Sequence, residues 1–162
     1  MSLIPKACFF TGHRKISCDK AMLTSYLREE ILDMINRGVT VFIAGGALGF
    51  DTMAAEQVID MREDYDFIQL HLYLPCINQD ESWNEEEKLQ FEKIKEYADD
   101  IRYVTDSVYK VGCMKKRNRA MVDASDCGIA YLTKKSSGTS QTVKMAQEKG
   151  IEIINIAEKW NM

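Results

Sequence analysis

Met114-Lys-Lys-Arg117-Asn118-Arg119-Ala-Met121, then Ser125-Asp126, the apolar run Cys127-Gly-Ile-Ala-Tyr-Leu132 and the polar turn Lys134-Lys-Ser-Ser137-Gly138-Thr139 carry the pattern that decides the fold. In order they spell a helix, a buried strand, a glycine turn and a second helix. At 3.6 residues per turn, Met114, Arg117, Asn118, Met121 and Ser125 fall on one stripe. Arg117 therefore shares the methionine side, while Lys115, Arg119 and Asp123 point elsewhere as solvated charges do. An arginine on a core-facing stripe needs a partner, because an unpaired buried charge is costly. The partner is either an internal carboxylate, Asp126 or Asp51, or an anionic ligand.

The same alternation extends through the chain. Ala7–Thr11 reads as a short buried strand, and a helix over about Met22–Arg37 buries Leu23, Leu27, Glu30, Ile31, Met34 and Ile35 before Gly38 closes it. Val39–Ala44 is a second strand, with Asp51 placed to cap a helix running to about Arg62. Ile68–Leu74 is a third strand, in which His71 reads as a core residue. A helix over about Glu85–Ala98 and a strand at Ile101–Val104 follow, and the opening stretch supplies the fifth strand. A helix over about Ser140–Lys149 and a strand at Ile151–Ile156 end the pattern. Strands that are continuous apolar runs between helices imply a parallel sheet covered on both faces. The expected fold is α/β: a single-domain, Rossmann-like three-layer sandwich over residues 1–162, with a mostly parallel sheet of about six strands.

Composition narrows the function. The 162 residues are 46% hydrophobic and 28% charged with a net charge of −4. That balance argues against a broad nucleic-acid footprint or a membrane surface. No signal peptide or membrane-length apolar run is present. Cys8, Cys18, Cys76, Cys113 and Cys127 form no C-x-x-C pair, so free thiols in a reducing cytoplasm are expected and a metal site is not.

Three glycine turns each follow a strand and precede a helix: Thr11-Gly12-His13-Arg14, Gly45-Gly46-x-x-Gly49 and Ser137-Gly138-Thr139. In a doubly wound sheet they share the carboxyl edge, where ligands bind. Glycine lets backbone approach a ligand, and helix starts offer free N–H groups to phosphate. None fits G-x-G-x-x-G or the Walker phosphate loop, which removes the usual support for dehydrogenase or ATPase readings. Arg117 and Arg14 are candidate phosphate contacts, with Asn118 beside the first. His13 is either a ligand donor or a structural turn residue. Asp51 is a helix cap or a ribose contact. Trp83 and Gln79, on the loop after strand three, either meet a base or pack. Glu56 is the nearest carboxylate for catalysis, or a surface charge.

Five ordered motifs then converge on one family. Thr11-Gly12-His13-Arg14, Gly46-Ala-Leu-Gly49-x-Asp51-x-x-Ala54-Ala55-Glu56, Pro75-x-x-x-Gln79-x-x-x-Trp83, Cys113-Met114-x-x-Arg117-Asn118-x-x-Met121-Val122-Asp123-x-Ser125-Asp126 and Gly138-Thr139-x-Gln141-Thr142-Val143 resemble the YpsA-type branch of the SLOG superfamily. The resemblance spans about Cys8 to Ile156. It implies a Rossmann-like domain that binds nucleotides or nucleotide-derived ligands, in a superfamily that includes the DNA-processing protein DprA and the LOG phosphoribohydrolases. The LOG pattern M-x-x-R-K, S-D and P-G-G-x-G-T-x-x-E is only half present. Arg117, Ser125-Asp126 and Gly138-Thr139 match it, whereas Thr142 stands at the catalytic glutamate. A threonine cannot act as a carboxylate base or stabilise an oxocarbenium-like sugar.

The leading expectation is a protein that binds or senses a nucleotide of the AMP, ADP-ribose or NAD type. The alternative is a nucleoside 5′-monophosphate N-glycosidase using Glu56 or Asp51 with Arg117. A third is a DprA-like single-stranded DNA binder or interaction module, which the acidic balance disfavours. Because SLOG relatives often dimerise, the resemblance also carries a homodimer as an expectation.

Overall fold

A computed structural model of the chain describes residues 6–162. The strands are β1 (Lys6–Gly12), β2 (Val39–Ala44), β3 (Gln69–Leu74), β4 (Asp100–Tyr103), β5 (Cys127–Tyr131) and β6 (Glu152–Asn155). Between and after them lie α1 (Lys20–Asn36), α2 (Phe50–Met61), α3 (Glu85–Tyr97), α4 (Cys113–Asp123), α5 (Gly138–Glu148) and α6 (Ile156–Lys159). The sheet order is β4-β3-β2-β1-β5-β6, and every neighbouring pair is parallel.

Alternation along each strand divides the core into two. Cys8, Phe10, Phe42, Ala44, Leu70 and Leu72 face α1, α2, α3 and α6. Ala7, Phe9, Ile43 and Tyr73 face the residues Met121 and Val122 of α4 and Met145 and Ala146 of α5. The result is the three-layer sandwich that covered parallel strands require. β4 and β6 depart from the fully buried reading, since each is short and lies at a sheet edge with mostly exposed or half-buried residues. His71 departs as well. It lies half-exposed beside the edge strand, its Nε2 2.9 Å from Gln69 Oε1 on the same strand face, and is not a core residue.

Helix boundaries follow local chemistry. Asp19 caps α1 by accepting from the Met22 N–H, and the Asn84–Glu87 capping box starts α3. The buried set of α1 is Leu23, Leu27, Glu30, Ile31, Met34 and Ile35, as its periodicity implies. Glu30 explains why a carboxylate can share that stripe. It accepts from Lys159 Nζ at 2.9 Å and from Trp160 Nε1 at 3.0 Å, while the Trp160 ring stacks on Tyr26 at 4.2 Å. A short helix that the periodicity did not indicate, α6, brings both partners there.

Because Glu30 is buried while Lys159 remains half-exposed, Glu30→Ala should cost about 2 kcal/mol in urea unfolding, from stranded donors and lost packing. Combining it with Trp160→Phe should give less than the sum of the single effects, since both remove one contact.

Candidate functional site

Strand order reverses between β1 and β5, because the chain builds outward from β1 to β4 and then returns to the other side of β1. A cavity of about 340 Å³ opens there, at the carboxyl edge. The turn after β1 lines it with Thr11, Gly12, His13 and Arg14, and the start of α5 adds Ser137, Gly138 and Thr139. Ala47 and Asp51 contribute from after β2, and Gln79 and Trp83 from after β3. Arg117 and Asn118 reach it from α4, together with Met114 and Met121. The methionines read from sequence as core-facing; Met121 is buried in the core and Met114 half-buried, and both also border the cavity beside the arginine.

Arg117 is 5% exposed. Its Nη1 donates to the Gly45 carbonyl and its Nε to Asn118 Oδ1 at 2.8 Å, while Nη2 meets the Met114 sulfur at 3.7 Å. No carboxylate among the described residues lies within ion-pair distance of it. Asp126, one of its expected partners, sits at the opposite sheet edge and accepts from the Ala7 N–H at 2.9 Å. Burial pulls the Arg117 pKa down, and the field of Asp51 partly offsets that. A guanidinium carries five donors, and here two meet oxygen acceptors; thioether sulfur is a weak third.

The glycines after β2 act mainly as clamps. Gly45 carries the carbonyl that holds Arg117, and a Cβ there would lie 2.6 Å from Arg117 Nη1 and 2.8 Å from Asp51 Oδ2. The Gly46 carbonyl accepts from Gln79 Nε2 at 3.1 Å. Gly49, at φ 82°, packs so closely on the β1 turn that a Cβ would lie 2.1 Å from the Arg14 carbonyl oxygen. The Phe50 N–H then donates to the His13 carbonyl at 3.1 Å. Gly45, Gly46 and Gly49 therefore fasten the turns together and do not themselves line the cavity.

His13 ties the first turn to the last. Its Nε2 accepts from the backbone N–H groups of Thr133 at 2.9 Å and Lys134 at 3.3 Å, which leaves the ring proton on Nδ1. The ring stands edge-on to Tyr131, and burial together with the Lys134 cation lowers its pKa. At the start of α5, Ser137 and Ser140 form a reciprocal cap. That leaves Gly138 and Thr139 with amide donors typical of a helix start, on the cavity wall. Trp83 is buried and packs on Phe91 at 5.2 Å, with part of its surface on the cavity.

The three carboxylate-related positions separate clearly. Asp51 is not the helix cap: Gly49 occupies the N-cap and Asp51 lies in the first turn of α2, 5% exposed. Burial raises its carboxyl to about 6, against the opposing pull of Arg117, the backbone of Ala47 and Gly45, and Arg14. Glu56 is not brought to this cavity. It lines a neighbouring groove and accepts from Gln90 Nε2 at 2.7 Å, with partial desolvation raising its pKa. Thr142 is fully buried, and its hydroxyl donates to the Gly138 carbonyl at 3.0 Å. Cys76 and Cys113, which the sequence did not single out, lie within electrostatic reach of Arg117 and of each other.

Two groups give the fold opposite responses to pH. The folded pKa of His13 lies below its unfolded value of about 6.5, so its contribution is complete above that pH and is lost on acidification. Asp51, raised from 3.8 to about 6, contributes fully below 3.8 and loses that contribution as pH rises through about 6. Urea unfolding of His13→Asn should show a smaller acid loss than the parent protein between about pH 7 and about pH 5. Asp51→Asn should remove a decline that the parent shows between about pH 4 and about pH 6. In the same assay Gly45→Ala should cost about 2 kcal/mol or more, by displacing the Arg117 head.

The profile of the YspA SLOG family matches residues 8–157. A UPF0398 protein of Bacillus cereus strain B4264 is 26% identical over 148 residues, which is 91% of this chain and 78% of that protein. A UPF0398 protein of Bacillus thuringiensis strain Al Hakam gives the same identity and coverage. Among solved structures, DNA processing protein A from Helicobacter pylori, described for its single-stranded DNA binding mode, aligns with a TM-score of 0.67 at 19% identity. That alignment covers 92% of this chain and 64% of the other. DNA processing protein A from Streptococcus pneumoniae gives 0.68 at 18% identity, over 92% of this chain and 49% of the other. At such identities the likeness is one of fold, and this chain spans less than two thirds of either protein. The family match, by contrast, runs from the first strand into the last helix: the chain belongs to the YspA SLOG family.

Proposed function

We propose that this protein binds a nucleotide or nucleotide-derived ligand, with a phosphate between Arg117, Arg14 and the amides of Gly138 and Thr139. The observation that carries this reading is the buried Arg117 head, facing a cavity with unused donors and paired with no carboxylate among the described residues. Charge-assisted hydrogen bonds of this kind contribute roughly 1.5–3 kcal/mol each. Helix-start amides favour the same negative charge. Half-buried Gln79, and the edge that the buried Trp83 presents to the cavity, suit a base or ribose beside the phosphate. AMP, ADP-ribose and NAD are the ligand types of choice. The five cysteines are free, which fits a reducing, cytoplasmic setting, and among the described residues no helix is long and apolar enough to cross a membrane.

A second reading rests on Asp51, the carboxylate that lines the cavity. With its pKa near 6, it is suited to protonate a departing base while water adds to the ribose of a nucleoside monophosphate. Thr142 is buried and Glu56 lies in the neighbouring groove, so neither serves this chemistry. Single-stranded DNA is a third ligand class, motivated by the Helicobacter pylori relative in fold and opposed by the net charge of −4.

Calorimetry with AMP, ADP-ribose and NAD should detect binding to the full chain, and Arg117→Gln should weaken it about tenfold or more. Absence of binding by all three sinks the nucleotide reading. Free base released from AMP, and lost in Asp51→Asn while binding persists, would establish the hydrolytic reading.

A further inference from the structure

The phosphate cavity has a larger neighbour. A groove of about 820 Å³ runs between α1, α2 and the start of α3, and Arg14 lines both spaces. Small-molecule sites span roughly 300–1,000 Å³, so the inner cavity at about 340 Å³ has room for one nucleotide unit. The groove adds room for another.

Its lining suits such a unit. Half-buried Leu48 and Met53 offer apolar surface packed on the core, the kind of floor that takes the flat face of a base. Lys15 and Lys20 stand exposed on the α1 side. Across from them Glu56 uses Oε1 to accept from Gln90, while Oε2 has no hydrogen-bond partner among the described residues. A carboxylate oxygen of this kind accepts from a ribose diol, the role acidic side chains play in dinucleotide folds. At the junction, the backbone of Arg14 is pinned by Gly49 while its side chain is exposed and pairs with no carboxylate among the described residues.

We infer that the ligand is bipartite: two nucleoside units joined through phosphate, one in the Arg117 cavity, the other in the groove, and the linkage at Arg14. The inference rests on the nucleotide reading and adds the class of ligand. The link is a pyrophosphate or a phosphodiester; both present anionic oxygens to the same guanidinium.

Calorimetry on the full chain compares AMP, NAD (pyrophosphate-linked) and the dinucleotide pApA (phosphodiester-linked). At least one linked probe should bind roughly tenfold tighter than AMP or better, since a second seated unit adds contacts without a second association step. Which one does so identifies the linkage. The double variant Lys15→Glu, Lys20→Glu, both exposed positions, should remove that advantage, bringing the ratio of linked-probe to AMP affinity close to one. Arg117→Gln should weaken all three probes. Equal affinities for AMP and both linked probes would overturn the bipartite ligand while leaving the nucleotide reading intact. So would a double variant that weakens all probes alike. Failure of every probe, and of ADP-ribose, to bind would overturn both.

Discussion

The site depends on one constraint: a guanidinium held inside the protein with no carboxylate in ion-pair contact with it among the described residues. Arg117 is steadied by a backbone carbonyl, an amide side chain and a thioether, all neutral. Neutral acceptors satisfy its geometry and leave its charge uncompensated except by the more distant field of Asp51. Desolvation makes this arrangement expensive, and an anionic ligand is the component that would offset the cost. The glycines of the β2 turn follow from the same constraint. Only a residue without Cβ lets the Gly45 carbonyl and the arginine head approach this closely.

Around that charge the three turns form a mutual brace. The His13 ring holds the backbone after β5, the His13 carbonyl receives the first amide of α2, and Gln79 joins the β3 loop to Gly46. Residues that looked like ligand contacts are thus divided between two duties. Arg14, Arg117, Asn118, Gly138 and Thr139 face the cavity, whereas Gly45, Gly46 and Gly49 set where those groups stand.

Much of this was legible in the sequence, because periodicity reports which face a residue takes. The α1 stripe, the Arg117 stripe and the convergence of turns at one sheet edge all follow from spacing. What the spacing hides is the partner. Glu30 was readable as buried, yet Lys159 and Trp160 are distant in sequence, and the carbonyl that meets Arg117 has no side-chain signature. Asp51 resembled a cap because its residue type favours one, but Gly49 at positive φ starts the helix earlier and turns the carboxylate inward. The separation of Glu56 from Asp51 was available from helical geometry. Five residues at about 100° each place them about 140° apart around α2, too far to share one cavity.

The strand order also has a consequence for synthesis. β1 takes its two neighbours from opposite ends of the chain: β2 follows directly, whereas β5 pairs with it only after Cys127–Tyr131 has been made. Until then the nascent sheet ends at β1, and the apolar run containing Cys8, Phe9 and Phe10 is an open edge in search of a strand. Closure of that edge is the same event that sets α4 and α5 over Phe9 and brings Arg117 to Gly45. A truncated or stalled chain would therefore expose an apolar strand edge and lack the cavity at the β1–β5 seam together. A ligand seated across the β1–β5 seam would act as a clasp on the last step of assembly.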